Sequence, residues 1–338
     1  KKLKDEKIEF ISLGHSIEER KLNIKFKNKH LSLDIDHFRE SWYRNSFVLD
    51  SEQTSNNKSL ERFKNYKNQP LKFNFPLNFS GDFPKINFKR EIKAAVIREK
   101  GINSEREMAY MLHSSGFKVK DVHMTDLVSG RESLEDINML VFPGGFSNSD
   151  VLGSAKGWAG AFKFNEIAKE TIEKFYKREN TLSLGVCNGC QLMMELDLIY
   201  PNLKDRHPKM EHNDSKKFEC IFSTIDIQKT NSIMLNNLEG SSLGIWSAHG
   251  EGKFNFKNQK VNIAAKFHYN DYPANPNGSE QAAAAICSNN GRHLAIMPHL
   301  ERSIFPWNWA HYPVDRKDKI SPWILPFYNA RMWLEENA

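Results

Sequence analysis

Residues 183–193 read SLGVCNGCQLM, an apolar run, two cysteines three positions apart, and a helix-like run. Three kinds of chemistry use such a pair. A zinc site needs about four ligands, and Cys220 and Cys287 stand alone, far from each other and from the pair. A thioredoxin-like redox pair belongs early, after the first strand of its sheet; this one comes late. The third reading is a single nucleophile. In Gly185-Val186-Cys187-Asn188-Gly189 a small residue lies two positions before and two after the first cysteine, which relieves crowding in a strand–nucleophile–helix turn. A cysteine at the first turn of a helix also gains from the positive end of the helix dipole, which favours the thiolate. Cys190 then faces inward as a small packing neighbour.

A nucleophile of this kind needs a base. LAIMPHLERS, residues 294–303, ends an apolar run with His299 and Glu301 one residue apart. In an extended segment residues i and i+2 point the same way, so the carboxylate is placed to hold one imidazole nitrogen while the other faces the thiol. A surface His-x-Glu pair is the plain alternative. LVFPGGFSNSD, residues 140–150, ends a further apolar run in Gly144-Gly145, where paired glycines turn backbone N–H groups toward a ligand. An ordinary turn is the plain alternative there.

The elements that must position these residues follow from periodicity. Residues 92–97, 117–124, 137–142 and 181–186 read as strands, and 104–116 and 165–180 as helices, the first with a capping box of Ser104 and Glu107. Strands alternating with helices predict an α/β domain with a mostly parallel sheet covered on both faces. After Phe218 strands crowd together at 218–227, 232–237, 243–248, 261–267, 283–288 and 292–297, a β-rich C-terminal half. The first 90 residues differ. Residues 33–50 place Ile35, Phe38 and Trp42 on one helical face, and the Asn-, Lys- and Pro-rich stretch that follows reads as a linker or an extended wrapping segment. The expected division is 1–90 and 91–338.

Composition limits the classes of function. In a chain of 338 residues, 39% are hydrophobic and the mean hydropathy is −0.61, enough for a globular core. No apolar run approaches the 18 or so residues of a membrane span, so no membrane partner is expected. The opening KKLKDEKIEF has neither an initiator Met nor a secretory core, and suggests a piece of something longer. Four cysteines do not make a disulfide framework, and a cytoplasmic setting is expected. Residues 1–90 carry 19 Lys/Arg against 12 Asp/Glu and the rest 29 against 30. The lysines are scattered, with no dense block or stacking platform, so no nucleic acid is expected either.

The segments REKGINSEREMAYMLHSSGF, DVHMTDLVSGR, GGFSNSDVLG, LGVCNGCQLM, HNDSKKFE, SAHGEGKF, YPANPNGSEQAAAAI and MPHLERS run in order from about residue 92 to 306. Together they resemble the glutaminase domain of the phosphoribosylformylglycinamidine synthases, a class I, triad-type glutamine amidotransferase family with a flavodoxin-like fold. LDIDHFRESWYRNSFVLDSE, residues 33–52, resembles the closing helical part of the synthetase body in the large single-chain form. The resemblance implies Cys187 as nucleophile, His299 as base and Glu301 as third member. It implies an oxyanion hole of backbone amides at Gly145 or Phe146 and at Asn188, Gln191 near the substrate, His249 and Glu251 bordering the glutamine pocket, and the stretch from Asn275 to Ser279 as its wall. Two positions depart from the pattern: Leu300 stands where the family commonly has Pro, and Asn148-Ser149 where it has Tyr-Gly.

The function so implied is hydrolysis of glutamine through a glutamyl thioester. The ammonia feeds ATP-dependent conversion of formylglycinamide ribonucleotide to its amidine in purine biosynthesis. No cofactor or metal is expected in this chain. ATP and Mg2+ are expected in the synthetase body, since the chain has no GxxxxGK[ST] loop and no paired-acid metal motif. The rival readings are a class I amidotransferase of another pathway and a non-catalytic regulatory domain with the same fold.

Overall fold

Why the apolar runs become strands is visible in where they lie. In the computed structural model, which describes residues 2–55 and 57–338, the chain divides into Lys1–Gln53 and Thr54–Ala338. The first unit contains a short helix α1 (Lys2–Asp5), a hairpin of β1 (Lys21–Phe26) and β2 (Lys29–Asp34), and the helix α2 (Ile35–Gln53). Lys21 pairs with Asp34 and Phe26 with Lys29, so the turn is the two residues Lys27-Asn28, with Lys27 in the left-handed region at φ 51°. α2 covers the expected helix, and Ile35, Phe38 and Trp42 are exposed on it.

The second unit opens with α3 (Lys58–Asn65) and then an extended stretch that lies along the main core. Phe73 and Phe75 pack against that core, and Asn74 and Ser242 exchange backbone hydrogen bonds of 2.9 and 2.8 Å. The compact unit of the structure thus begins at Thr54, and residues 54–90 bury aromatic rings on it.

From there the chain alternates as expected: β3 (Lys93–Arg98), α4 (Glu105–Ser114), β4 (Lys118–His123), α5 (Met124–Val128), β5 (Met139–Phe142), α6 (Lys156–Phe164), α7 (Glu166–Lys177), β6 (Leu182–Val186) and α8 (Asn188–Glu195). Then come β7 (Lys209–Glu211), β8 (Glu219–Ile227), β9 (Ser242–His249), β10 (Lys253–Asn255), β11 (Asn262–Phe267), β12 (Ala283–Cys287), β13 (His293–Ile296) and α9 (Leu325–Asn337). Nine strands form one sheet in the order β4-β3-β5-β6-β13-β12-β11-β8-β9. The first five are parallel and the remaining pairings antiparallel. β5, β6 and β13 are buried along their whole length, which is why their sequences are near-continuous apolar runs, broken only by Ser183, Gly185 and His293, and not alternating ones. β7 and β10 make a separate small ribbon. No helix among the described residues is long and apolar enough to cross a membrane.

Two expected elements come out differently. Residues 232–237 are turns, not a strand. Met234 and Leu235 are buried from those turns, and Asn329 Nδ2 donates to the carbonyls of Met234 and Asn236. A short apolar run satisfies either geometry, and here a side chain supplies the partners that a neighbouring strand otherwise would. Ser104 is the residue before α4 but makes no capping bond. Its hydroxyl instead accepts from the Gly144 N–H at 2.8 Å.

The C-terminal segment braces this frame. Trp323 Nε1 donates to Gly244 O on β9 at 2.8 Å. Arg331 on α9 is fully buried, its guanidinium 4.0 Å from the Phe88 ring centroid. It donates to Gly116 O, Arg90 O and Glu335 at 3.0, 2.6 and 2.8 Å. Replacing Arg331 with Met keeps apolar volume but leaves two buried carbonyls without a donor and takes the cation from Glu335, which keeps only the N–H groups of Lys89 and Arg90. Urea unfolding of Arg331→Met is expected to show a loss of about 3 kcal/mol.

Candidate active site

The turn between β6 and α8 is the tightest place in the fold. β6 lies between β5 and β13, and α8 begins directly after Cys187. A Cβ at Gly189 would overlap the carbonyl oxygen of Phe142, and one at Gly185 would lie 2.6 Å from Gly189 O. The two small residues flanking the cysteine are therefore required by helix–strand approach. Cys187 itself takes φ 52° and ψ −107°, a conformation closed to most L-residues, and its N–H donates to Ile296 O at 2.9 Å. That bond ties the turn to the end of β13, the strand that leads to His299.

His299 and Glu301 are brought to Cys187 as the i, i+2 spacing predicts. His299 Nδ1 lies 2.6 Å from Glu301 Oε1, the ring lies close enough to Cys187 for the two to interact electrostatically, and the Cys187 thiol donates to Ala248 O at 3.5 Å. Both side chains crowd Gly144, where a Cβ would lie 2.6 Å from His299 Cε1 and 3.2 Å from Cys187 Cβ. His299 N–H donates to Trp246 O at 2.7 Å, and Ser303 Oγ donates to His299 O at 3.0 Å, so backbone and ring are both held. Glu301 sits on the short turn Leu300–Arg302. Leu300 is the first residue of that turn, where proline is well tolerated, and its side chain is buried in the core.

The charges of the pair follow from burial and proximity. Burial works against a charged imidazole, but Glu301 and then Cys187 outweigh it and hold His299 up at about 10. Burial likewise works against a charged Glu301, and the His299 charge outweighs it, holding the carboxyl below its ordinary value. Cys190 is fully buried, and burial, then its neighbour Cys187, pushes its thiol well above the usual range. The two cysteines thus stand in unlike settings.

The Gly144-Gly145 turn is pinned from several sides. Asn103 N–H donates to Gly144 O at 3.2 Å, and Phe146 N–H donates to Gly101 O at 2.9 Å. The Phe146 amide is therefore engaged, which corrects its place in the expected oxyanion hole. No hydrogen bond among the described residues occupies the Gly145 amide. The Asn188 amide, at the first position of α8, has no intrahelical acceptor. The Asn188 side chain links the turn to the helix: its Oδ1 accepts from Ser147 N–H at 3.2 Å, and its Nδ2 donates to Gln191 Oε1 at 3.0 Å and to Asp150 Oδ1 at 3.3 Å. Gln191 Nε2 donates onward to Glu251 O at 2.8 Å. Asp150, raised by burial and by the Glu251 charge nearby, was not singled out from the sequence. Asn148, Ser149 and Asp150 are all left-handed, at φ 52°, 56° and 50°.

The remaining expected residues separate. His249 is buried at the end of β9, close enough to His299 for the two to interact electrostatically. Glu251 accepts from Ser154 N–H at 3.3 Å. Asn275 is not joined to this group: its Oδ1 accepts from Gly278 N–H at 3.2 Å and its Nδ2 donates to Asn270 O at 3.1 Å, so its carboxamide closes its own loop. Asn277, two residues on, is the one whose Nδ2 reaches His249, at 3.1 Å. Asn213, also missed, holds the same loop by donating to His249 O at 2.7 Å and accepting from Gly252 N–H at 3.0 Å. A buried Asn between polar neighbours has no periodic signal that marks it.

Two measurements follow. Ser149→Gly removes the cost of a left-handed L-residue and is expected to raise stability by about 1 kcal/mol in urea melts. The raised His299 stabilises the fold fully below its ordinary 6.5 and loses that contribution as pH rises through about 10. The lowered Glu301 contributes fully above its ordinary 4.5 and loses its share below it. The stability difference between wild type and Glu301→Gln is therefore expected to be largest between pH 4.5 and 6.5 and to shrink toward pH 10.

Comparison with known proteins gives the family of this chain. A family described as CobB/CobQ-like glutamine amidotransferase domain matches residues 91–334. A probable phosphoribosylformylglycinamidine synthase, chloroplastic/mitochondrial, of Arabidopsis thaliana is 40% identical over 333 residues, covering 90% of this chain and 24% of its own. The phosphoribosylformylglycinamidine synthases of Dictyostelium discoideum and Homo sapiens are 42% and 40% identical, covering 72% and 76% of this chain and 20% and 22% of their own. The chain thus spans less than a quarter of the length of these relatives. Among solved structures, PurLQS from Thermotoga maritima shares the fold with a TM-score of 0.57 at 23% identity, over 72% of this chain and 100% of that one.

Proposed function

The chain belongs to the CobB/CobQ-like glutamine amidotransferase family, and from that footing we propose that it hydrolyses glutamine at Cys187 to supply ammonia for phosphoribosylformylglycinamidine synthesis. The observation that carries the chemistry is the buried set of Cys187, His299 and Glu301 around Gly144. The support for the pathway is the 40% identity to a relative of that name over 90% of this chain.

In this reading the Cys187 sulfur attacks the side-chain carbonyl carbon of glutamine, with its proton held on His299. The N–H groups of Gly145 and Asn188 stabilise the oxyanion. His299 gives its proton to the departing ammonia, then draws one from water, which splits the glutamyl thioester to glutamate and restores the thiol. Glu301 fixes the tautomer and compensates the imidazolium. The ammonia is used where ATP, with Mg2+, activates the amide oxygen of formylglycinamide ribonucleotide. That step belongs to a synthetase body, of which residues 1–90 are the closing part and linker, with residues 91–338 the amidotransferase domain. The four cysteines are free thiols, which supports a cytoplasmic setting.

Glutamate release from glutamine tests the first half. Cys187→Ser is expected to lower the rate by about three orders of magnitude or more, and Cys190→Ser to leave it within a few-fold of wild type. Loss of activity on changing Cys190 alone would reverse the assignment of the thiols. For the second half, the chain is combined with the synthetase portion of a relative, formylglycinamide ribonucleotide and ATP–Mg2+. Glutamine-dependent amidine formation is expected; glutamate without amidine would point to an amidotransferase of another pathway.

A further inference from the structure

Near His299 lies a second histidine that this chemistry does not use as a base. His249 is buried, and three contacts determine which of its nitrogens carries the proton. The backbone N–H of Ser279 donates to Asn277 Oδ1 at 3.0 Å, and Ser279 Oγ donates to the same atom at 2.8 Å. A backbone N–H is only ever a donor, so that end of the carboxamide is the oxygen and the other end is the NH2 group. That NH2 lies 3.1 Å from His249 Nε2, which must therefore accept and carry no proton. Burial, then the charge of His299, brings the pKa of His249 down to about 3, so the ring is neutral and its one proton is on Nδ1.

Among the described residues Nδ1 has no hydrogen-bond partner, although it is buried. The ring edge opposite Nδ1 packs closely on Gly252, where a Cβ would overlap its Cδ2 and Nε2 atoms. An unpaired N–H in a buried position carries a desolvation penalty, which is relieved when an acceptor arrives. A neutral donor suits the place, since a second cation would repel the charged His299.

We propose that Asn277 is a positioning residue that fixes His249 as its Nδ1–H tautomer, so that a neutral, buried N–H is presented to an oxygen of the bound amide substrate. The proposal rests on the reading of the site as a glutaminase and adds to it the residue that sets the polarity of its second histidine.

Nitrogen NMR of the full chain with 15N-labelled histidine tests it. Wild type is expected to show His249 protonated at Nδ1 and bare at Nε2 near neutral pH. Asn277→Asp puts an acceptor opposite Nε2 and is expected to move a proton there, raising KM for glutamine about tenfold, the scale of one lost hydrogen bond, with a smaller change in kcat. In Cys187→Ser, which binds without turning over, glutamine is expected to shift the Nδ1 signal. A wild-type His249 protonated at Nε2 would overturn the proposal, and needs no variant to fold. So would an unmoved Nδ1 signal under saturating glutamine, or an Asn277→Asp protein with unaltered tautomer and KM. The tautomer is read without turnover, so the expected spectrum in a chain that releases no glutamate would uphold the Asn277 assignment and sink the glutaminase reading instead.

Discussion

The site depends on how closely α8 lies against β5. The start of the helix passes so near the Phe142 carbonyl that only glycine fits at position 189. With the helix that close, the chain leaving β6 has one residue in which to reverse direction, and that residue is Cys187 in a left-handed conformation. The strain places the sulfur where the end of β13 delivers an imidazole and where Gly144 leaves both side chains room. Strain of this kind persists only when its surroundings over-determine it. Here the bond from Cys187 N–H to Ile296 O and the parallel pairing of β6 with β5 and β13 do so.

Around this turn, polar side chains act chiefly as fasteners. Ser104 holds Gly144, Asn188 joins the glycine turn to the helix, Asn213 holds the loop after β9, and Asn277 holds His249. All four are neutral and buried, so they set geometry without adding a field that would compete with the His299–Glu301 pair.

What was legible in the sequence was whatever has a period or a steric requirement. Buried parallel strands need near-continuous apolar runs, so β3, β5, β6 and β13 could be read, and the glycines at 185 and 189 could be read because nothing larger fits. The His-x-Glu spacing was legible because an extended backbone places i and i+2 together. What escaped depends on partners distant in the chain. Residues 232–237 look like a strand until Asn329 is seen to satisfy their carbonyls. Ser104 looks like a helix cap until Gly144 arrives beside it. Asn275 and Asn277 sit two apart in one loop, and no local rule says which carboxamide closes the loop and which reaches the histidine. The hairpin of β1 and β2 escaped too, its turn formed by Lys27-Asn28 without glycine.

The bond from His299 N–H to Trp246 O has a second effect beyond orienting the base. β9 ends the nine-stranded sheet, and a terminal strand with open amides and carbonyls is a template for pairing with another molecule. Here its outer rim is bridged by backbone from Asn74 at Ser242 and from His299 at Trp246, and by the Trp323 side chain at Gly244 O between them. The loop that carries His299 and Glu301 is thus also a guard on the sheet's edge. Damage that loosens it would uncover a sticky strand, so in this fold impaired turnover and aggregation share a cause.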